Sequence, residues 1–168
     1  MDGPVIGPVR GRECGARMPP GREDAGVSQG FTVPPHPGSS GAVVSARMST
    51  LRRRDTAPEL ELRRLLHAAG LRYRVAYPVP GRPRRSIDVA FTRRKVAVFV
   101  DGCFWHGCPE HGTRPTANSL WWSAKLAANQ ARDSDTSALL VDQGWIVIRA
   151  WEHDRAEAVL DRITAALG

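Results

Sequence analysis

Val96-Ala-Val-Phe-Val-Asp-Gly-Cys-Phe-Trp-His-Gly-Cys-Pro-Glu-His111 begins as an uninterrupted apolar run and ends in a crowd of reactive side chains. An apolar run of this length fits a strand covered on both faces. Residues 101–111 then bring two cysteines, two histidines, two acids and two large aromatics. A buried strand that delivers so many titratable and ligand-type groups to its end implies a sheet with a site at its mouth.

Working outward, Ile87–Phe91 and Val96–Val100 read as a hairpin through Thr92–Lys95, and Leu71–Val79 as a strand stopped by Pro80-Gly81. Thr56-Ala-Pro-Glu59 opens a helix, with Thr56 as cap, Pro58 in the first turn and Glu59 closing a capping box. Leu62, Leu65, Leu66 and Ala69 form its apolar face, and Gly70 stops it. Downstream come a polar loop (His111–Asn118), a helix from Ser119 to Gln143 stopped by Gly144, a buried strand Trp145–Trp151, and an amphipathic helix Arg155–Leu167. There are no internal repeats. The order α-β-β-β-α-β-α implies an α/β sandwich with a mixed sheet and helices on its faces.

A chain of 168 residues suits one domain with a sizeable core. Residues 1–47 hold nine of the sixteen glycines, seven of the thirteen prolines and one aromatic, Phe31. Such a segment buries too little apolar area to offset its ordering entropy, so 1–47 is expected to be disordered, with Met48 as an alternative natural start and 48–168 as the folded domain. From Met48 onward 19 Lys and Arg face 13 Asp and Glu, so +6 of the formal +7 lies in the folded part. That balance suits a polyanionic partner, most often nucleic acid. No apolar run approaches the ~18 residues of a membrane span, and no secretory signal is apparent. Three cysteines, two of them beside histidines, favour metal ligation in a reducing cytosol over disulfides.

Several constellations carry chemistry. Asp88 lies between Ile87 and Val89, and burial there is expensive unless a partner such as Arg84 or Arg85 pairs with it. The hairpin would bring Asp88 and Asp101 together near one sheet edge, where converging oxygens suit Mg²⁺. Cys103-x4-Cys108-x2-His111 has the spacing of most of a tetrahedral zinc site, for which His153 and His106 compete as fourth ligand. Phe104-Trp105 is either core packing or a wedge for stacked bases. Glu59 is explained by capping, yet could also face the site as an outer metal partner. Asn129 and Asp133 share one helix face, as do Arg132 and Thr136; by themselves they read first as a solvated polar face. Arg52, Arg53, Arg54, Arg84 and Arg85 are phosphate contacts if DNA binds.

The blocks Asp55-Thr56-x-Pro-Glu59, Pro80-Gly-Arg-Pro83, Ile87-Asp-Val, Val98-Phe-Val-Asp-Gly-Cys-Phe-Trp-His106, Asn129-x2-Arg-Asp133 and Gly144-Trp-x-Val-x-Arg-x-Trp-Glu152 resemble, in order, the very-short-patch repair (Vsr) endonucleases. The resemblance spans 48–168 and none of 1–47. It implies a restriction-endonuclease-like three-layer α/β sandwich with a structural zinc site, in a monomer of the bacterial cytoplasm acting at the nucleoid. The implied activity is Mg²⁺-dependent nicking of one strand of double-stranded DNA 5′ of the thymine in a T:G mismatch, the product of 5-methylcytosine deamination, alongside mismatch-repair proteins. Residue by residue, it implies Asp88 and the Val100 carbonyl for Mg²⁺, His106 to activate water, and Glu59, Asp101, Asn129 and Asp133 as further active-site residues. Cys103, Cys108, His111 and His153 fall on the zinc positions. Phe104 and Trp105 fall on the intercalating aromatics, and Met48 joins the arginines as an expected DNA contact. Three departures stand out: Asp101 where the family often has histidine, His153 where some relatives have cysteine, and extra residues between Pro83 and Asp88. A nuclease of the same fold with another target, and a non-catalytic zinc module that binds DNA, are the alternatives.

Overall fold

A computed structural model describes residues 54–168 together with 33–35 and 38, all within one unit spanning 31–168. The expected disorder of 1–47 falls almost wholly outside the described residues, as do Met48, Arg52 and Arg53. In chain order the elements are α1 (Ala57–Ala68), β1 (Arg74–Val79), β2 (Arg82–Phe91), β3 (Val96–Asp101), the four-residue α2 (Cys103–His106), α3 (Ser119–Asp142), β4 (Ile146–Trp151) and α4 (Ala156–Leu167). The sheet order is β1-β2-β3-β4, antiparallel except for the parallel pair β3/β4, which α3 connects as a crossover. The mixed α/β sheet expected from the sequence is therefore present.

Its two faces are covered by different helices. Leu62 and Leu66 of α1 and Val159 and Ile163 of α4 pack with Val89, Phe91, Val96, Val98, Ile148 and Ala150. On the other face Leu140 of α3 and Trp145 meet Val79, Ile87, Ala90, Ala97 and Phe99. Alternate residues of β3 thus feed opposite cores, which is why its sequence is apolar throughout. Burying side chains the size of Leu66 or Ile163 is worth about 2 kcal/mol each.

Three local expectations are corrected. β2 starts at Arg82, not Ile87, so Pro80-Gly81 is the turn of a β1–β2 hairpin rather than a simple stop. Pro83 is tolerated because β3 pairs only with Val89–Phe91, leaving the first half of β2 hydrogen-bonded on one side. The Thr56 hydroxyl donates to Glu59 Oε1 (3.1 Å) while the Asp55 N–H donates to Oε2 (3.0 Å), so Thr56 makes no side-chain cap and the capping box does not form. Lastly, Asp88 and Asp101 sit on the two internal strands, not at a sheet edge. Opposite Asp88, between the pairs Val75↔Val89 and Tyr77↔Ile87, β1 is distorted at Ala76, which has φ +49°.

Candidate active site and metal centre

The C-terminal end of β3 hands the chain straight into α2, so a strand end and a single helical turn together present Asp101, Cys103, Phe104, Trp105 and His106. Gly107 ends that turn with φ +68°, and the Cys108 N–H closes back on the Cys103 carbonyl at 3.0 Å. A side chain at Gly107 would run into Gln130, and one at Gly112 into the Cys108 backbone, so glycine lets both loop strands approach. Helix α3 fixes the turn from outside: Asn129 Nδ2 donates to the Trp105 carbonyl (3.0 Å) and Gln130 Nε2 to that of His106 (3.3 Å). Asn129 thus meets the backbone of the loop rather than the carboxylates.

Asp88 has no ion pair among the described residues. Arg85, one of its expected partners, instead pairs with Asp135 (2.5 Å) and the Thr136 hydroxyl (2.8 Å), tying β2 to α3. Asp88 Oδ2 accepts the Val100 N–H at 2.9 Å. Burial raises Asp88 to about 6; the charges of Glu59 and Asp101 add to this, and the Val100 hydrogen bond and Arg149 oppose it. Glu59 is buried and already engaged by Asp55, Thr56 and Arg63 (3.2 Å).

Across from it, His106 Nδ1 lies 2.5 Å from Asp133 Oδ2 and 3.6 Å from Asp101 Oδ1. A carboxylate accepts only, so the hydrogen sits on Nδ1 and the Nε2 lone pair is left for another proton. Burial disfavours the imidazolium, but the Asp133 hydrogen bond and the charges of Asp101 and Asp133 outweigh it and raise His106 above its ordinary value. Asp133 moves the opposite way: burial alone would raise it, yet His106 and Arg149 hold it below the usual carboxylate range.

Arg149 and Glu152 stand in the Gly144–Glu152 block, but the sequence reading gives neither a role. The Arg149 guanidinium grips both oxygens of Asp101 (2.5 and 2.6 Å) and reaches Asp133 at 3.2 Å. Glu152 Oε1 accepts the Cys103 N–H at 2.7 Å. The available signal was a lone cation in the apolar strand Ile146–Trp151, which needs a buried partner.

Beside this cluster, Cys103, Cys108, His111 and His153 place four ligand atoms within 4.8 Å of one another. Cys103 Sγ is 3.0 Å from His153 Nδ1, His111 Nδ1 is 3.2 Å from His153 Nδ1, and Cys108 Sγ lies 3.9 and 4.0 Å from the two imidazoles. A tetrahedral zinc ion holds thiolate and imidazole ligands roughly 3.3–3.8 Å apart. The donor set therefore fits such an ion, with His153 and not His106 as the fourth member. His153 Nε2 faces Glu110 (3.6 Å) and Asp154 (3.8 Å), carboxylates on the side of the ring away from the cysteines. Burial, aided by Cys108 and Glu152, pushes the Cys103 thiol up to about 12, so thiolate formation there calls for a cation.

Phe104 meets Trp105 and Trp122 edge to face (centroids 5.0 and 5.2 Å), the two indoles lie tilted at 6.0 Å, and the half-buried cluster is extended by Trp121. Arg54 and Arg84 are exposed. A hollow of about 750 Å³, lined by Tyr73, Phe91 and Leu167, lies by the β2–β3 turn, at the other end of the strands from the acids. No helix of the described residues is long and apolar enough to cross a membrane.

Residues 41–111 match the family described as DNA mismatch endonuclease Vsr. The chain is 43% identical over 134 residues to the type II nicking enzyme V.NaeI of Lentzea aerocolonigenes, covering 76% of this chain and 81% of that one. It is 40% identical over 115 residues to the type II nicking enzyme V.XorIIP of Xanthomonas oryzae pv. oryzae, covering 66% and 79%. To the DNA mismatch endonuclease Vsr of Escherichia coli K12 the identity is 34% over 113 residues, covering 66% and 70%.

Proposed function

Because this chain belongs to the Vsr family of DNA mismatch endonucleases, we propose that it nicks one strand of duplex DNA 5′ of the thymine in a T:G mismatch. The observation that carries this reading is the pairing of two unlike groups. One is a half-buried acid without an ion pair, Asp88; the other is an imidazole whose Nδ1 is occupied by Asp133. Phosphodiester hydrolysis requires a base for water and a cation for the developing charge. His106, oriented by Asp133, accepts the proton of the attacking water on Nε2. Asp88 and the Val100 carbonyl hold Mg²⁺, which when bound polarises the scissile phosphate and stabilises the leaving oxygen. Phe104 and Trp105, braced by Trp122, are the wedge that opens the stack at the mismatch. Zinc on Cys103, Cys108, His111 and His153 stiffens the loop that carries them. The domain works as a monomer on double-stranded DNA in the bacterial cytoplasm.

A second reading keeps the nuclease and changes its target, favoured by the relatives whose names are type II nicking enzymes. Strand-labelled duplexes containing T:G, C:G or an abasic site, incubated with Mg²⁺, separate the two. A nick 5′ of the mismatched thymine alone is expected. Equal cutting of all three duplexes would move the target, and Mg²⁺-dependent cutting by Asp88→Asn would reject the role given to Asp88.

A further inference from the structure

We propose that Arg149 is a positioning residue that keeps Asp101 out of the catalytic cation's ligand set, leaving Asp88 as the single acidic ligand; this rests on the metal-assisted reading above. The charges of Glu59 and Asp101 both act on Asp88, and the protein itself occupies those two acids. Glu59 is taken by the Asp55 N–H, the Thr56 hydroxyl and Arg63. Asp101 is taken by a two-pronged pair: Arg149 Nε donates to Oδ2 at 2.6 Å and Nη2 to Oδ1 at 2.5 Å, so each oxygen has a charged donor. Asp88 alone keeps only a backbone N–H.

The fork is itself held. Arg149 Nη2 lies 3.2 Å from Asp133 Oδ1, Nη1 donates to the Asp133 carbonyl (3.4 Å) and the Ser137 hydroxyl (3.5 Å), and the guanidinium carbon stands 5.1 Å from the Phe99 ring centroid. Asp101 is 6% exposed, so without Arg149 it would be a buried charge in search of a cation. The nearest source of one is the cation on Asp88, whose carboxylate accepts the N–H of Val100, the residue just before Asp101. A carboxylate gripped at both oxygens is held facing the guanidinium, so turning toward that ion strains the pair and brings the cation up against the Arg149 charge. Arg149 also links Asp101 to the partner of His106, so the clamp aligns the base while it withholds the acid.

The test is Mn²⁺ binding to the zinc-replete full chain, read by electron paramagnetic resonance of the free ion. Arg149→Gln is expected to bind Mn²⁺ about tenfold more tightly than wild type, because a second carboxylate joins the site. Adding Asp101→Asn to it should return the affinity to the wild-type value. Arg149→Lys, which keeps the charge but engages one oxygen at a time, should also bind more tightly and serves alone if Arg149→Gln does not fold. Unchanged affinity in the folded single variants overturns the proposal, as does tightening confined to Arg149→Gln, which would assign the effect to charge. Asp88→Asn separates the two levels. If it leaves Mn²⁺ binding intact the metal reading fails; if it abolishes binding while Arg149 changes nothing, only the clamp fails.

Discussion

An acid withdrawn from water without an ion pair holds its proton more tightly than a free one, and the half-buried Asp88 is such an acid. Its folded value of about 6 stands above the ordinary 3.8, so the folded chain binds that proton more tightly than the unfolded one. The contribution of Asp88 to stability is therefore fully present below about pH 4 and is lost as pH rises through 6. Asp88→Asn removes the ionising group while keeping its shape. In buffer without Mg²⁺, urea denaturation at pH 8 should find the variant more stable than wild type by about 2–3 kcal/mol, with the difference gone near pH 4. Equal stability at both pH values would mean that Asp88 is already neutralised by a partner. At this scale the sequence was informative wherever chemistry is local: Cys103, Cys108 and His111 lie within nine residues and do converge. The Arg149–Asp101 grip joins residues 48 apart, and nothing in the run of either strand states their register.

Among the elements, β1 contains the least comfortable backbone. Ala76 occupies the left-handed region (φ +49°) opposite Asp88, a conformation that costs a residue with a β-carbon about 1 kcal/mol or more. Ala76→Gly is expected to stabilise the fold by about 1 kcal/mol, measured as a higher urea midpoint at unchanged slope. A destabilised variant would mean that the Ala76 methyl packs for more than its backbone loses. The helices and the cores of β3 and β4 were legible because their apolar periodicity is strong. The start of β2 was not, since Pro83 reads as a breaker until one knows that β3 stops pairing at Val89. Helix α2 was missed for a different reason: one turn is too short to leave a period, and the glycines that flank it, Gly102 and Gly107, suggest a loop.

Taken whole, the described domain has two cores on opposite faces of one sheet, and the acids and the cysteine–histidine centre gather where β3 ends. The cysteine–histidine centre joins the β3–α3 connection to the segment after β4, since His153 lies far along the chain from Cys103. Chelating that metal should therefore lower the melting temperature by about 10 °C or more, with recovery on adding zinc, as followed by calorimetry. A metal-free protein that melts at the same temperature would deny the centre a structural role. Four consecutive positions, Cys103 to His106, carry a thiol, two rings and the imidazole, each on its own side of a single turn. That compression limits how such an enzyme can evolve. One residue inserted there would swing everything after it by about 100° and take the imidazole away from Asp133. Lineages that acquire new targets must then vary the flanking loop at 111–118 and the surfaces beyond it, while this turn descends unaltered.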